Sequence, residues 1–546
     1  MIKKVVLLRC IFSIILLAIS AGAIISCAST STTSPVRAES PKEASIIITE
    51  KGAVKGILSD DERVEIFAGI PFAKPPVGEL RWKEPQELEP WDGVLEADHF
   101  APMAMQTEYG RVFNFLINCY VHSKNDRTYK GPMSEDCLYL NVWRPNPSQG
   151  SSEDGLAAGE KLPVLVYIHG GSLTSGQSWY EKYDGTNLAK EGIIVVTVAY
   201  RLGVFGYFAD KELASESPNG TTGNYGLLDQ IKALEWVNKN IEAFGGDAGN
   251  ITIAGESAGS SSVNAVCASP LAKGLFRRAI AESSSIVQKT PPHTFRTMKA
   301  ALEMGANIKE EFKCANVEEL RKIPAEKLIK TKYKNSSMTV DGYALPKTPY
   351  EIYTNNENNE EALLNGFNRQ EGFAFAAFTH VTKKNLYSLL ESTFKSRTQE
   401  AIDAQNIKTK KQARAYYNDV YSAVCFTYPH DCWTKTLAAQ GRPVYEYFFN
   451  KENGELGTMH SGEMIYAYRN VPKTSNYNQS DYDLEMIMSS YWLNFVKYGD
   501  PNGTASNGKP LPEWKTFNES GLLLELGEKC VMREDPFKEI YEYFWE

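Results

Sequence analysis

Gly255-Glu256-Ser257-Ala258-Gly259 sets one hydroxyl between two glycines. The preceding "NITIA" reads as a buried strand, and the following "SAGSSSVNAVCA" as a helix that opens on small residues. In that setting Gly-x-Ser-x-Gly is a sharp strand-to-helix turn whose central residue lifts a nucleophilic hydroxyl clear of the sheet. A serine hydroxyl attacks poorly until a base takes its proton, and neutral imidazole does this best near neutral pH. His460, in "ELGTMHSGEM", lies late in the chain, in a glycine-bearing loop after the apolar stretch "PVYEYFF". A carboxylate must hold the other ring nitrogen. Glu371, in "NGFNRQEGFAF", follows a strand-like stretch and stands between the serine and the histidine in chain order. Attack creates an oxyanion, which calls for preorganised backbone N–H donors. "YIHGGSLTSG" offers Gly171 and Ser172 in a small-residue turn, and Ala258 at the helix start is a third donor. His169 in that turn reads as structural, and His99, His122, His293, His380 and His430 have no comparable setting.

These residues need a scaffold that brings distant segments together. From Ser45 to about Trp143, "SIIITE", "AVKGIL", "VEIFAGI" and "LYLNVW" alternate between punctuating Gly, Pro and charged residues, which predicts antiparallel strands. From Leu162 the rhythm changes: "LPVLVYIHGG" and "GIIVVTVAYR" are strongly apolar. "GLLDQIKALEWVNKNIEAFGGD" has a helix period that puts Leu227, Leu228, Ile231, Leu234, Val237 and Ile241 on one face. Buried strands alternating with helices predict a parallel sheet covered on both sides. Ser257 then stands at the carboxyl end of a central strand, where open α/β sheets place their chemistry. Beyond "FRRAIAESSS" the chain reads as helical and irregular, with further strands at "EALLNGFN" and "PVYEYFF" and a helix with closing loops from about Asp481.

The 546 residues are 42% apolar and 23% charged, an ordinary balance for a globular enzyme. A formal charge of -9, spread without long like-charge blocks, argues against nucleic acid or an anionic membrane surface as the main partner. No repeats are visible. "MIKKVVLLRCIFSIILLAISAGAIISCAST" begins basic and continues into an apolar run too short to span a bilayer comfortably, so residues 1–26 read as an export signal. Ile24-Ile25-Ser26-Cys27 resembles the lipobox of bacterial lipoproteins, which implies lipidation of Cys27, a cell-envelope location and membrane attachment through that anchor alone. Residues 27–44 read as a solvated tether and 45–546 as one domain. Two of the nine cysteines fall in the leader, leaving an odd seven in the body. Export permits disulfides, for which Cys425 with Cys432 and Cys119 with Cys137 are the candidate pairs. No CxxC or His/Cys cluster suggests a metal, and the chemistry above needs no cofactor.

Taken in order, "FAGIPFAKPPVGELRW", "SEDCLYLNVWRP", "VYIHGGSLTSG", "YRLGVFGYF", "GNYGLLDQIKALEWVNKNIEAFGGD", "ITIAGESAGS", "LFRRAIAESS", "NGFNRQEG", "GTMHSGEM" and "YWLNFVKYGDPNG" resemble the type-B carboxylesterases, the large α/β-hydrolase family that also holds cholinesterases and bile-salt-activated lipases. The resemblance covers nearly the whole body. It implies an α/β-hydrolase fold, with a large, mostly parallel central sheet, antiparallel N-terminal strands and helices on both faces. It also implies a triad of Ser257, Glu371 and His460, with oxyanion amides at Gly171, Ser172 and Ala258. The chain departs from the family in three places. Ser172 stands where a third glycine is usual, so its backbone must hold a glycine-like φ to serve. The family's cysteine partner for Cys137 would lie near Met103-Ala104-Met105, where there is none. The loop from Gln106 to Asp136 lacks the tryptophan on which cholinesterases stack a quaternary ammonium, which argues against choline esters.

The expected activity is therefore serine-dependent hydrolysis of small carboxylic esters through an acyl-enzyme. A lipase or an aromatic-ester (feruloyl-type) hydrolase would use the same machinery, and a non-catalytic adhesion relative would lack one of the three residues. Phe373, Phe375 and Phe378, with Phe113, Phe115 and Tyr120, are candidates to line the acyl or alcohol pocket.

Overall fold

Alternating apolar residues at the start of the body pair as expected into an antiparallel ladder. The computed structural model, which describes residues 42–107, 131–149, 160–377, 379–452 and 458–544, forms strands β1 (Glu43–Ile48), β2 (Ala53–Leu58), β3 (Val64–Pro71) and β4 (Tyr139–Pro145). Each is antiparallel to the next. The ladder begins inside the stretch read as tether, because Glu43 pairs with Ile57 across the hairpin and needs no apolar side chain to do so.

The strands that follow are β5 (Leu162–Ile168), β6 (Ile194–Val198), β7 (Gly246–Glu256), β8 (Arg278–Glu282), β9 (Ala362–Asn368), β10 (Val444–Phe449) and β11 (Leu523–Leu526), with β12 (Val531–Arg533) as the last strand. The 13-stranded sheet runs β1-β2-β3-β4-β6-β5-β7-β8-β9-β10-β11-β12, with Val94–Glu96 beside β2. From β6 to β11 every neighbouring pair is parallel, while β4 meets β6, and β11 meets β12, antiparallel. The chain enters the parallel region at β5, moves to β6 on one side and returns to β7 on the other. The crevice at the carboxyl ends of β5 and β7 is thus the switch point where such sheets hold ligands.

A period of two assigns each strand's side chains to opposite faces. In β5, Val164, Val166 and Ile168 join one buried core, and Leu165 and Tyr167 join another. Helix α1 (Tyr225–Asn240) buries five of its six expected apolar residues, and the sixth, Ile241, is buried just past its end. It is covered on more sides than its period implied. Asp229 is fully buried because it clasps the Arg201 guanidinium at 2.7 Å, and Gln230 is buried against Ser262. Strands β8, β11 and β12 are short and each includes a charged residue, so none stands out as an apolar run. Glu282 at the end of β8 is sheltered by Trp492 Nε1 at 2.9 Å and the Tyr468 hydroxyl at 3.2 Å.

Helix α2 (Ala258–Ala268) leaves the sheet after β7. Between β9 and β10 the chain builds α3 (Lys410–Ser422), a π-turn at Ala423–Thr427 and α4 (Tyr428–Ala439), one continuous helical run. This run corrects the expected Cys425–Cys432 bridge: the two cysteines form no disulfide. Seven residues of helix separate their Cα atoms by about 10 Å, beyond the roughly 7 Å that a disulfide spans. Cys137 is also a free, buried thiol, so the second expected pairing fails at that end, and Cys119 lies outside the described residues. Helix α5 (Gln479–Tyr498) covers the second face near the carboxyl end of the chain.

Candidate active site

β7 ends at Glu256 and α2 begins at Ala258, so Ser257 alone makes the turn. Its φ of 57° and ψ of -127° are strained for any residue with a Cβ, a conformation that costs on the order of 1–3 kcal/mol. Neighbouring backbone holds it there. Ser257 N donates to Glu282 O at 2.8 Å, and Ser257 O accepts from Ser261 N at 3.0 Å. The flanking glycines answer to close packing. A Cβ on Gly259 would stand 2.1 Å from Ile168 O at the end of β5, and one on Gly255 would stand 2.6 Å from the Gly259 carbonyl carbon.

Glu371 follows β9, and His460 lies in the loop after β10. Parallel pairing of the two strands carries both residues to the same edge of the sheet. Glu371 is fully buried; its Oε1 accepts the Asn368 N–H at 2.7 Å and its Oε2 receives His460 Nδ1–H at 2.5 Å. The ring is therefore turned with Nε2 outward, and His460 lines a cavity of about 240 Å³ together with Ser257, Gly170, Gly171 and Ser172. Nε2 itself lies 3.2 Å from Glu256 Oε1. A carboxylate and an unprotonated imidazole nitrogen are both acceptors, so this contact belongs to the doubly protonated ring. Burial pulls the imidazole down, but the charges of Glu256 and Glu371, the hydrogen bond to Glu371 and the charge of Glu463 together lift it to about 9.

The turn after β5 supplies the amides. Gly171 holds a φ of 111° and Ser172 one of 55°, so serine does adopt the left-handed backbone that the family's glycine would take. A Cβ on Gly171 would fall 2.1 Å from Ser175 O, whose residue folds back to donate its N–H to Gly171 O. Ala258 is the first residue of α2, where amides have no partner within the helix. His169 is a strut, as its setting suggested. Its Nδ1 bonds Gly170 O at 2.8 Å and its ring stacks on Tyr200 at 4.5 Å. Burial pushes it down to about 4, so it is neutral.

Of the aromatic candidates, Phe375 lines the cavity, with its ring 5.3 Å from His460 in an edge-on arrangement. Phe373 is 39% exposed and is not part of that lining. Phe378, Phe113, Phe115 and Tyr120 lie outside the described residues. Sequence reasoning missed Phe426, which the π-turn brings to 4.7 Å from the His460 ring. It also missed Tyr167, Tyr180, Tyr183 and Ser461 on the cavity wall. Behind the histidine, Glu463 accepts from Ser283 Oγ at 3.0 Å and from Asn368 Nδ2, and burial with Glu371 and Glu256 nearby pushes it up to about 7.

The sequence matches the model of the carboxylesterase family over residues 43–544. It is 31% identical to the medium-chain fatty acyl-CoA hydrolase precursor of Anas platyrhynchos, across 93% of this chain and 92% of that one. It is 30% identical to the fumonisin B1 esterase of Sphingopyxis macrogoltabida, across 91% and 88% respectively. Among solved structures, a carboxylesterase from Geobacillus stearothermophilus superimposes with a TM-score of 0.76 at 31% identity, covering 92% of this chain and all of that one.

Proposed function

Because the chain belongs to the carboxylesterase family and hydrolyses carboxylic esters, we propose that it does so with Ser257 as nucleophile, His460 as general base and Glu371 as the carboxylate that orients the ring. His460 Nε2 takes the Ser257 hydroxyl proton as Oγ bonds the ester carbonyl carbon. The amides of Gly171, Ser172 and Ala258 receive the oxyanion. Collapse of that intermediate breaks the bond to the alcohol, which leaves with the proton from Nε2. Water, deprotonated by the same nitrogen, then releases the acid and restores Ser257. The observation that carries this reading is the Glu371–His460 hydrogen bond ending in a ring that shares its cavity with Ser257. The test is turnover of p-nitrophenyl esters of several acyl lengths by the purified protein beside Ser257→Ala. The substitution should lower kcat by about 10⁴-fold or more. Turnover comparable to the parent's would overturn the assignment.

Tyr167, Tyr180, Tyr183 and Phe375 around the nucleophile favour small esters with a flat or apolar acyl or alcohol group. The acyl-length series in the same assay separates this from a preference for long chains.

We also propose that residues 1–26 direct export and that Cys27 becomes the acylated first residue, joined by a short tether to a single domain that starts near Glu43. The leader pattern supports this. Among the described residues no helix is long and apolar enough to cross a membrane. Mass spectrometry of the mature N-terminus should find a diacyl- or triacyl-modified Cys27; an unmodified N-terminus beyond Cys27 would refute it.

A further inference from the structure

Ser461, next to His460, holds a φ of 68°. Glycine would take this left-handed backbone without strain, so the turn itself gives no reason for a serine. What serine adds is a hydroxyl, and Ser461 Oγ donates it to Glu256 Oε1. The same oxygen lies 3.2 Å from His460 Nε2. Ser461, Glu256, His460 and Ser257 all line one cavity. Strain retained at a functional site is the pattern expected when the side chain has work there.

We propose that Ser461 is a positioning residue for ester hydrolysis: by hydrogen-bonding the Glu256 carboxylate it pins a second anion against the outward nitrogen of the base, and so governs the pH at which that nitrogen sheds its proton. This rests on His460 being the base. In the resting site the Nε2 proton is shared with Glu256 and must leave to water before Nε2 can accept the proton of Ser257. Once acylation has moved that proton, the pinned carboxylate stabilises the imidazolium until the leaving alcohol takes it.

Other charged and titratable groups also face the ring. Glu371 is bonded to Nδ1, and Glu463 comes from the same loop. Glu282, from the end of β8, acts on Glu463 and Glu256 from behind. His293 donates to Cys425 O in the π-turn and lies close enough to sense the ring's charge, and Lys182 stands on the cavity wall. Ser461 bonds none of these, so its substitution acts through Glu256. Released from the hydroxyl, the carboxylate can rotate away from Nε2 into the cavity, where its pull on the ring weakens.

The experiment measures kcat/KM against pH on p-nitrophenyl butyrate for the parent, Ser461→Ala, Ser461→Gly, Glu256→Gln and the double variant Ser461→Ala/Glu256→Gln, with the fold of each checked by near-ultraviolet circular dichroism. Glycine relieves the backbone strain while removing the hydroxyl, so it reports even where alanine fails to fold. Both Ser461 variants should move the acidic limb down by about one pH unit. Glu256→Gln should move it at least as far, and Ser461→Ala should add nothing in the Glu256→Gln background. Limbs for Ser461→Ala and Ser461→Gly that coincide with the parent's, or an undiminished shift in the double variant, would overturn the proposal. Ser257→Ala and His460→Gln run in parallel. Loss of turnover in both, with unmoved Ser461 limbs, sinks the role of Ser461 alone, whereas retained turnover in either sinks the base assignment and this proposal with it.

Discussion

His460 meets a carboxylate at each ring nitrogen, Glu371 at Nδ1 and Glu256 at Nε2. One such partner orients an imidazole; two hold a proton on it. With the ring lifted to about 9, it is charged at neutral pH and cannot serve as a base until the solution turns alkaline. We expect kcat/KM to rise from about pH 6 to about pH 9, where an unperturbed histidine would level off soon after ~6.5. A plateau already reached by about pH 7.5 would show that the Glu256 contact does not persist in solution. An imidazole read from sequence alone carries only the unperturbed value of ~6.5, and the reason for the difference is instructive. Spacing and residue type singled out Ser257, Glu371 and His460 as candidates, because strand-end turns and chain order constrain which backbone positions converge. They said nothing of Glu256 turning its side chain back onto the ring, nor of Ser461 bonding it, since both depend on rotamers that no linear pattern encodes.

At the scale of elements, the turn at Ser257 depends on how tightly α2 sits against the end of β5. A methyl group at Gly259 would meet Ile168 O at 2.1 Å, and that atom is backbone at the end of the central strand β5, not the tip of a flexible side chain. Gly259→Ala should therefore cost about 1–3 kcal/mol or more of stability, and it should depress turnover by displacing the nucleophile. Denaturant unfolding and the ester assay on the same sample check both effects; an active variant of parental stability would mean that the helix can slide outward freely. Elements with strong periodicity, such as β5, β6 and α1, were legible from residue order alone. Strands β8, β11 and β12 were not, because Arg278, Glu282 and Arg533 break the apolar run and find their partners elsewhere in the fold. The π-turn had no signal at all, although it delivers Phe426 to the His460 ring.

Across the whole molecule, buried ionisable groups divide into two sets with opposite effects on stability. His460 at about 9 and Glu463 at about 7 both bind protons more tightly folded than unfolded. The stability they contribute is present at low pH; that of Glu463 fades as pH rises through about 7 and that of His460 as it rises through about 9. His169 at about 4 and His430 at about 3 are held neutral by burial, so their contribution is present above ~6.5 and fades as the solution is acidified toward those values. Tm should thus fall between about pH 6.5 and about 9, with that fall coinciding with the rise in activity. Calorimetric scans from about pH 5 to about pH 9 test this, and a Tm still rising between about 7 and 9 would contradict it. Finally, the helical excursion between β9 and β10 reaches the site at two points: Ser422 at the end of α3 accepts the Gly372 N–H beside Glu371, and the π-turn sets Phe426 at 4.7 Å from the His460 ring. Sequence changes there would act on the setting of the ring and on its surroundings together, so selectivity and catalytic competence would evolve as one trait in this part of the chain.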